Sequence, residues 1–145
     1  MPQPTGTPLL PSIDLPPNRS GRILLFTIRR MALFGLNDAH ATHAVFAHFG
    51  LSYRRPLILI RALMAEIARA STRTVTVAPC CCIRMTRDEA RLIEAIEGSL
   101  RREGVSNRAL GRLMDTAATL GVLTTAQAVA QCFFDLGQPL SLYDR

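Results

Sequence analysis

The sequence predicts an all-α chain: a single compact bundle of about six helices behind an extended, proline-rich N-terminal tail. Three observations predict it. Apolar residues recur at helical spacing in segment after segment, and strand-like alternation shows only over residues 74–77. Hydrophobic residues make up 48% of the chain and charged ones 19%, at a mean hydropathy of +0.18, so a core can be built. Caps and stops of the right chemistry flank the apolar segments. A chain of 145 residues is long enough for one such core.

Residues 1–18 hold most of the nine prolines. Proline lacks the N–H for helix or sheet and biases its predecessor toward extended forms. This stretch reads as an extended tail that drapes Leu9, Leu10, Ile13 and Leu15 onto a helical domain spanning 19–140; residues 141–145 form a C-terminal tail. The first helix is expected after Ser20 as N-cap, running to Phe34 with Gly35 as its stop. Arg22, Arg29 and Arg30 mark its wet side. The second is capped by Asn37, with Asp38 at its positive end, and stops at Gly50. The third starts near Pro56, a good first helical residue, and reaches Ala70.

The "TVTV" of residues 74–77 has no obvious strand to pair with and reads as an extended connection. Helix four is the best-signalled element. Thr86 and Glu89 stand in capping-box spacing, Leu92, Ile93, Ile96 and Leu100 form the inward stripe, and Gly104 is the stop. Helix five is expected from a Ser106 cap, with Leu110, Leu113, Met114, Ala117 and Leu120 inward and Gly121 at its end. Helix six follows a Thr124 cap, with Val129, Phe133 and Phe134 inward, and stops at Gly137.

The net charge is +6, and all 17 basic residues are arginine. Such a charge attracts phosphate, anionic lipid or an acidic partner. Three doublets, Arg29–Arg30, Arg54–Arg55 and Arg101–Arg102, are the candidate contacts for nucleic acid or an acidic protein. "AATLGVLTTAQAVAQ", residues 117–131, echoes a helix-turn-helix turn. Its second helix has no basic residue from Thr125 to Leu136 and carries Asp135, which does not suit a groove-reading helix.

The first twenty residues lack the basic and apolar regions of a signal peptide. The longest uncharged run, 116–134, is broken by Gly121, Thr124, Thr125, Gln127 and Gln131, so no membrane span is expected. The expected compartment is the cytoplasm, where thiols stay reduced.

That bears on Cys80, Cys81 and Cys82, which stand side by side just before helix four. A helix N-terminus and the neighbouring Arg84 and Arg87 favour ionised sulfur, the form that binds soft metals and attacks electrophiles. In an extended segment, Cys80 and Cys82 share one face while Cys81 points away. Met85 offers a thioether for copper, and Cys132, His40 or His43 a fourth ligand for zinc. The spaced C-x-x-C pairs of zinc and redox modules are missing, and simple packing of the cysteines is the competing reading. His40 and His43 share one helical face, whereas His48 stands too far round to join them. No enzyme site is recognisable, and a Cys–His pair would need one of these rings to reach the cluster.

"GLNDAHA", "YRRPL", "RALM" and "APCCCIRMT-DE", within about Arg22 to Gly98, resemble an uncharacterised family of small alphaproteobacterial proteins classed as a domain of unknown function. The resemblance implies a soluble bacterial protein and marks no residue as catalytic. The functional expectation is therefore a small accessory or regulatory protein whose thiol cluster binds a soft metal or senses redox state. The alternative is a basic module for nucleic acid or an acidic protein, with structural cysteines.

Overall fold

The structure, a computed structural model, describes residues 11–141. Its elements in chain order are β1 (Ile13–Asp14), α1 (Arg19–Phe34), α2 (Ala39–Phe49), a 3-10 turn (Gly50–Ser52), α3 (Arg54–Ala70), β2 (Arg84–Met85), α4 (Arg87–Gly98), α5 (Glu103–Met114) and α6 (Leu120–Asp135). The all-α expectation of about six helices holds. The ladder it lacked is minimal: β1 pairs antiparallel with β2, Ile13 opposite Met85 and Asp14 opposite Arg84. Ile13 and Leu15 pack half-buried against the core, as the draped tail required. Leu9, Leu10 and residues 142–145 lie outside the described residues.

The helices pack chiefly in pairs, α1 on α2, α4 on α5 and α3 on α6. One shared core of aliphatic side chains joins them, with Leu24, Ile28, Ile60, Leu63, Ile96 and Phe133 among its buried members. Each such side chain stabilises the fold by about 1.5–3 kcal/mol relative to exposure. Among the described residues, no helix is long and apolar enough to cross a membrane.

Several helix ends differ from expectation, each for a physical reason. Asn18, not Ser20, caps α1: its Oδ1 accepts from the Gly21 N–H at 2.8 Å while its Nδ2 donates to the Leu140 carbonyl at 2.7 Å. Ser20 is instead buried and bonded to His48 Nε2 at 3.2 Å. Asp38, not Asn37, caps α2 through the Ala41 N–H. Helix α4 ends at Gly98, which leaves Leu100 exposed. α5 begins at Glu103, so Ser106 lies inside it.

α5 stops at Met114 because Asp115 takes a left-handed φ of 52°. The linker after α3 covers its end: Thr72 Oγ1 donates to the Met114 and Asp115 carbonyls and Arg73 Nη1 to that of Leu113. Ala117 and Leu120 therefore lie beyond α5 and are exposed. α6 starts at Leu120, one turn early, and places Gly121 and Thr124 inside the helix, where Thr124 Oγ1 donates back to the Leu120 carbonyl. Phe134 is exposed rather than inward.

Candidate functional site

At about 100° per residue, adjacent positions of α1 point to different sides. Arg29 lies one turn beyond Leu25, on the stripe that faces the core, and only 2% of it is exposed. This corrects the expectation that it belongs to the wet side, and it removes Arg29 from any surface patch. A buried guanidinium must be fully paired. Its Nε and Nη2 donate to Glu89 Oε2 and Oε1 at 2.7 and 3.0 Å, and Nη1 and Nη2 also donate to the carbonyls of Cys82 (2.8 Å) and Arg84 (2.7 Å).

Glu89 completes the hub. Its carboxylate accepts the Thr86 N–H at 2.9 Å, the reciprocal half of the capping box, and the Ala78 N–H at 3.1 Å. One buried ion pair thus holds the connecting segment at Ala78, Cys82, Arg84 and Thr86. Thr86 Oγ1 adds a bond to the Thr76 carbonyl, and Asp88 accepts the Thr76 N–H.

The thiol cluster sits in this clamped segment. The Cys82 N–H bonds back to the Pro79 carbonyl at 3.0 Å, a turn with Cys80 and Cys81 at its tip. The extended geometry that would put Cys80 and Cys82 on one face does not form. β2 stands between the cysteines and α4 in the chain, and the Thr86–Glu89 box takes up the Thr86 and Glu89 N–H groups at that helix end. Arg84 turns instead to Asp14, at 2.8 Å.

The cation that reaches sulfur is Arg30, on the outer side of α1. Its Nη1 lies 3.6 Å from Cys80 Sγ. Its Nε and Nη2 clasp both Asp38 oxygens at 2.9 Å, Nη2 lies 3.1 Å from His40 Nδ1, and the guanidinium stacks 4.0 Å from the Phe34 ring centroid. The guanidinium holds the Asp38 carboxyl down to about 2. Asp38 first and Cys80 second hold Arg30 more firmly protonated than a free guanidinium. Four residues that are scattered in sequence, Arg30, Asp38, His40 and Cys80, therefore form one surface array.

The other candidate residues are placed elsewhere. Cys81 is exposed at the turn tip and Cys82 is half-buried. Met85 is buried in the core cluster beside β1. Cys132 is fully buried in α6, where desolvation pushes its thiol up and makes it a poor nucleophile. His43 lies exposed on α2. His48 is buried against Ser20 and Phe49, and burial lowers its basicity. All four cysteines are free thiols. Among the described residues, no three of His, Cys, Asp and Glu stand where they would hold a metal ion.

Sequence reasoning missed Arg29 and Arg30 as the partners of the thiol turn. For Arg29 a signal existed: a charge on an apolar helical stripe demands a buried counter-charge, and Glu89 was already marked by its capping box. For Arg30 the partner lies 50 residues away and only the fold brings it near.

A family model described as a family of unknown function (DUF6628) matches residues 7–135. Comparison with curated proteins finds no match. Comparison with solved structures finds none either.

Proposed function

Because the chain belongs to this family of unknown function and takes no activity from it, we propose a function from the thiol turn itself: a small accessory or regulatory protein that senses oxidants through Cys80. The observation that carries the reading is the Arg30 Nη1 to Cys80 Sγ contact of 3.6 Å, within an array that Asp38 and His40 hold in place. A fixed guanidinium is complementary to a sulfur anion, and the thiolate is the attacking form of cysteine. Among the described residues the soft-metal version of the same idea gains no third ligand, so the redox version is the one argued.

The chemistry runs with a hydroperoxide as oxidant. The Cys80 thiolate attacks one peroxide oxygen; an S–O bond forms as the O–O bond breaks, and the departing hydroxide or alkoxide takes a proton from water. A second thiol of the turn then attacks the sulfenic sulfur, an S–S bond forms, and water leaves. Either product withdraws the Cys80 sulfur from Arg30 as a thiolate partner. The regulatory output in this reading is the changed surface around Arg30, while the Arg29–Glu89 hub keeps the rest of the segment in place.

The test is residue-resolved labelling of the four thiols by mass spectrometry, before and after brief exposure to an alkyl hydroperoxide under otherwise anaerobic conditions. Cys80 is expected to lose its label first and Cys132 last, and Arg30→Leu is expected to slow the loss at Cys80 several-fold. If the more exposed Cys81 reacts ahead of Cys80 and Arg30→Leu changes nothing, exposure alone governs the cluster and the reading fails.

A further inference from the structure

The corner where α2 passes through the 3-10 turn into α3 combines two properties. Its tip is apolar and open to solvent: Leu51 is 91% exposed, Ile58 60% and Phe46 43%. It also carries no acid of its own, since no Asp or Glu occurs from residue 39 to residue 65, whereas Arg54 and Arg55 stand exposed within it; the acid on the adjoining end of α6 is Asp135, which acts together with Arg55 on the Cys132 thiol. Among the described residues, neither arginine is held in an ion pair with an acid.

The local geometry makes these one surface. Ile58 follows Arg54 by four positions and Arg55 by three on α3, so the three share a helical face. Tyr53 meets Phe46 edge-to-face at 5.2 Å, which ties the turn to α2, and the Arg54 guanidinium lies 5.9 Å from the Tyr53 ring centroid. Leu51 stands exposed on the 3-10 turn that joins the two helices. Isolated exposed apolar side chains are ordinary on a protein surface. Three beside paired arginines, in a stretch without acids, are a pattern with a physical consequence.

We propose that this corner docks on an anionic lipid surface, with Leu51, Ile58 and Phe46 entering the boundary between headgroups and acyl chains and Arg54 and Arg55 meeting the lipid phosphates. The charge is complementary to an anionic leaflet, and arginine stems lie along an apolar boundary while their heads stay at the phosphate level. A nucleic-acid backbone would satisfy the arginines but gives Leu51 and Ile58 nothing apolar to bury against. This surface lies on the α2–α3 corner and does not involve the thiol turn, so the two proposals stand or fall separately.

The experiment is co-sedimentation of the full chain with vesicles of phosphatidylcholine mixed with phosphatidylglycerol, against vesicles of phosphatidylcholine alone. Circular dichroism checks that each variant keeps its helices. Wild type is expected to sediment with the anionic vesicles and to release as salt is raised. Leu51→Ser combined with Ile58→Ser is expected to weaken that binding by about tenfold or more. Each of Arg54→Gln and Arg55→Gln is expected to weaken it by about fivefold. The proposal is overturned if the chain does not sediment with anionic vesicles. It is equally overturned if Leu51→Ser with Ile58→Ser leaves vesicle binding unchanged, or if duplex DNA binds as tightly as the vesicles and is as sensitive to the arginine changes. Those results describe a general polyanion surface.

Discussion

Two adjacent arginines of α1 end in opposite surroundings. Arg29 is buried in a closed set of partners, the Glu89 carboxylate and the carbonyls of Cys82 and Arg84, and every group in the set belongs to the fold. Arg30 is half-buried in an open set, with Asp38, His40 and the Phe34 ring on its flanks and the Cys80 sulfur at its rim. The first arrangement is structural, because a buried ion pair that keeps all its hydrogen bonds fixes backbone position and has no group left for chemistry. The second leaves a nucleophilic atom beside a cation with solvent near. The first arginine holds the cysteine turn; in the proposed function, the second serves its chemistry.

The largest test of this comparison breaks the buried side. Glu89→Ala leaves the Arg29 charge inside without its partner, and the expected loss is about 3–5 kcal/mol, read as a lower urea midpoint. Because the same carboxylate holds the Ala78 and Thr86 N–H groups, amide exchange at those two positions is expected to rise together. Unchanged exchange there would mean that the segment is held by something other than the hub.

A smaller change leaves the ion pair and removes only its helix-capping partner. Thr86→Ala deletes the oxygen that accepts the Glu89 N–H and the hydroxyl that donates to the Thr76 carbonyl. The expected loss is about 1–2 kcal/mol in the same urea assay, with the order of thiol reactivity preserved. A loss as large as that of Glu89→Ala would show that the cap, not the buried charge, dominates this region.

The smallest effect is on the open side and is read by pH. Asp38 is held down to about 2 by Arg30, well below the ordinary carboxylate range. Its folded form binds protons less readily than the unfolded chain does, so its contribution is full above the ordinary carboxylate range and is lost as pH falls through about 2. Wild type and Asp38→Asn are therefore expected to differ in thermal stability at neutral pH and to converge at the acid end of that window. A difference independent of pH would mean that the substitution acts through packing or the α2 cap rather than through charge.

The parts of this molecule that were legible in the sequence share a local cause. The Thr86–Glu89 box is read from a spacing of three residues, and the stop at Gly35 from one glycine after an apolar run. α5 and α6 were misplaced because their boundaries are set from a distance. Thr72 and Arg73 cover the end of α5 from another part of the chain, and Thr119, ahead of α6, spends its hydroxyl on Asn107 rather than on a cap. Ser20 has the chemistry of an N-cap, yet its hydroxyl goes to His48, 28 residues on.

The candidate site divides in the same way. The sequence by itself determined that three thiols stand together ahead of a capped helix, and that most of the chain is helical, because composition, period and caps act over a few residues. It also determined that the α2–α3 corner carries arginines and no acids. Only the tertiary structure decided that the thiols sit on a turn rather than an extended face, that Arg29 is inside and Arg30 outside, and that Met85 and Cys132 face the core. The turn itself closes locally, from the Cys82 N–H to the Pro79 carbonyl, but the arginines that meet it come from 50 or more residues away in the chain, and no local preference specifies which distant side chain arrives.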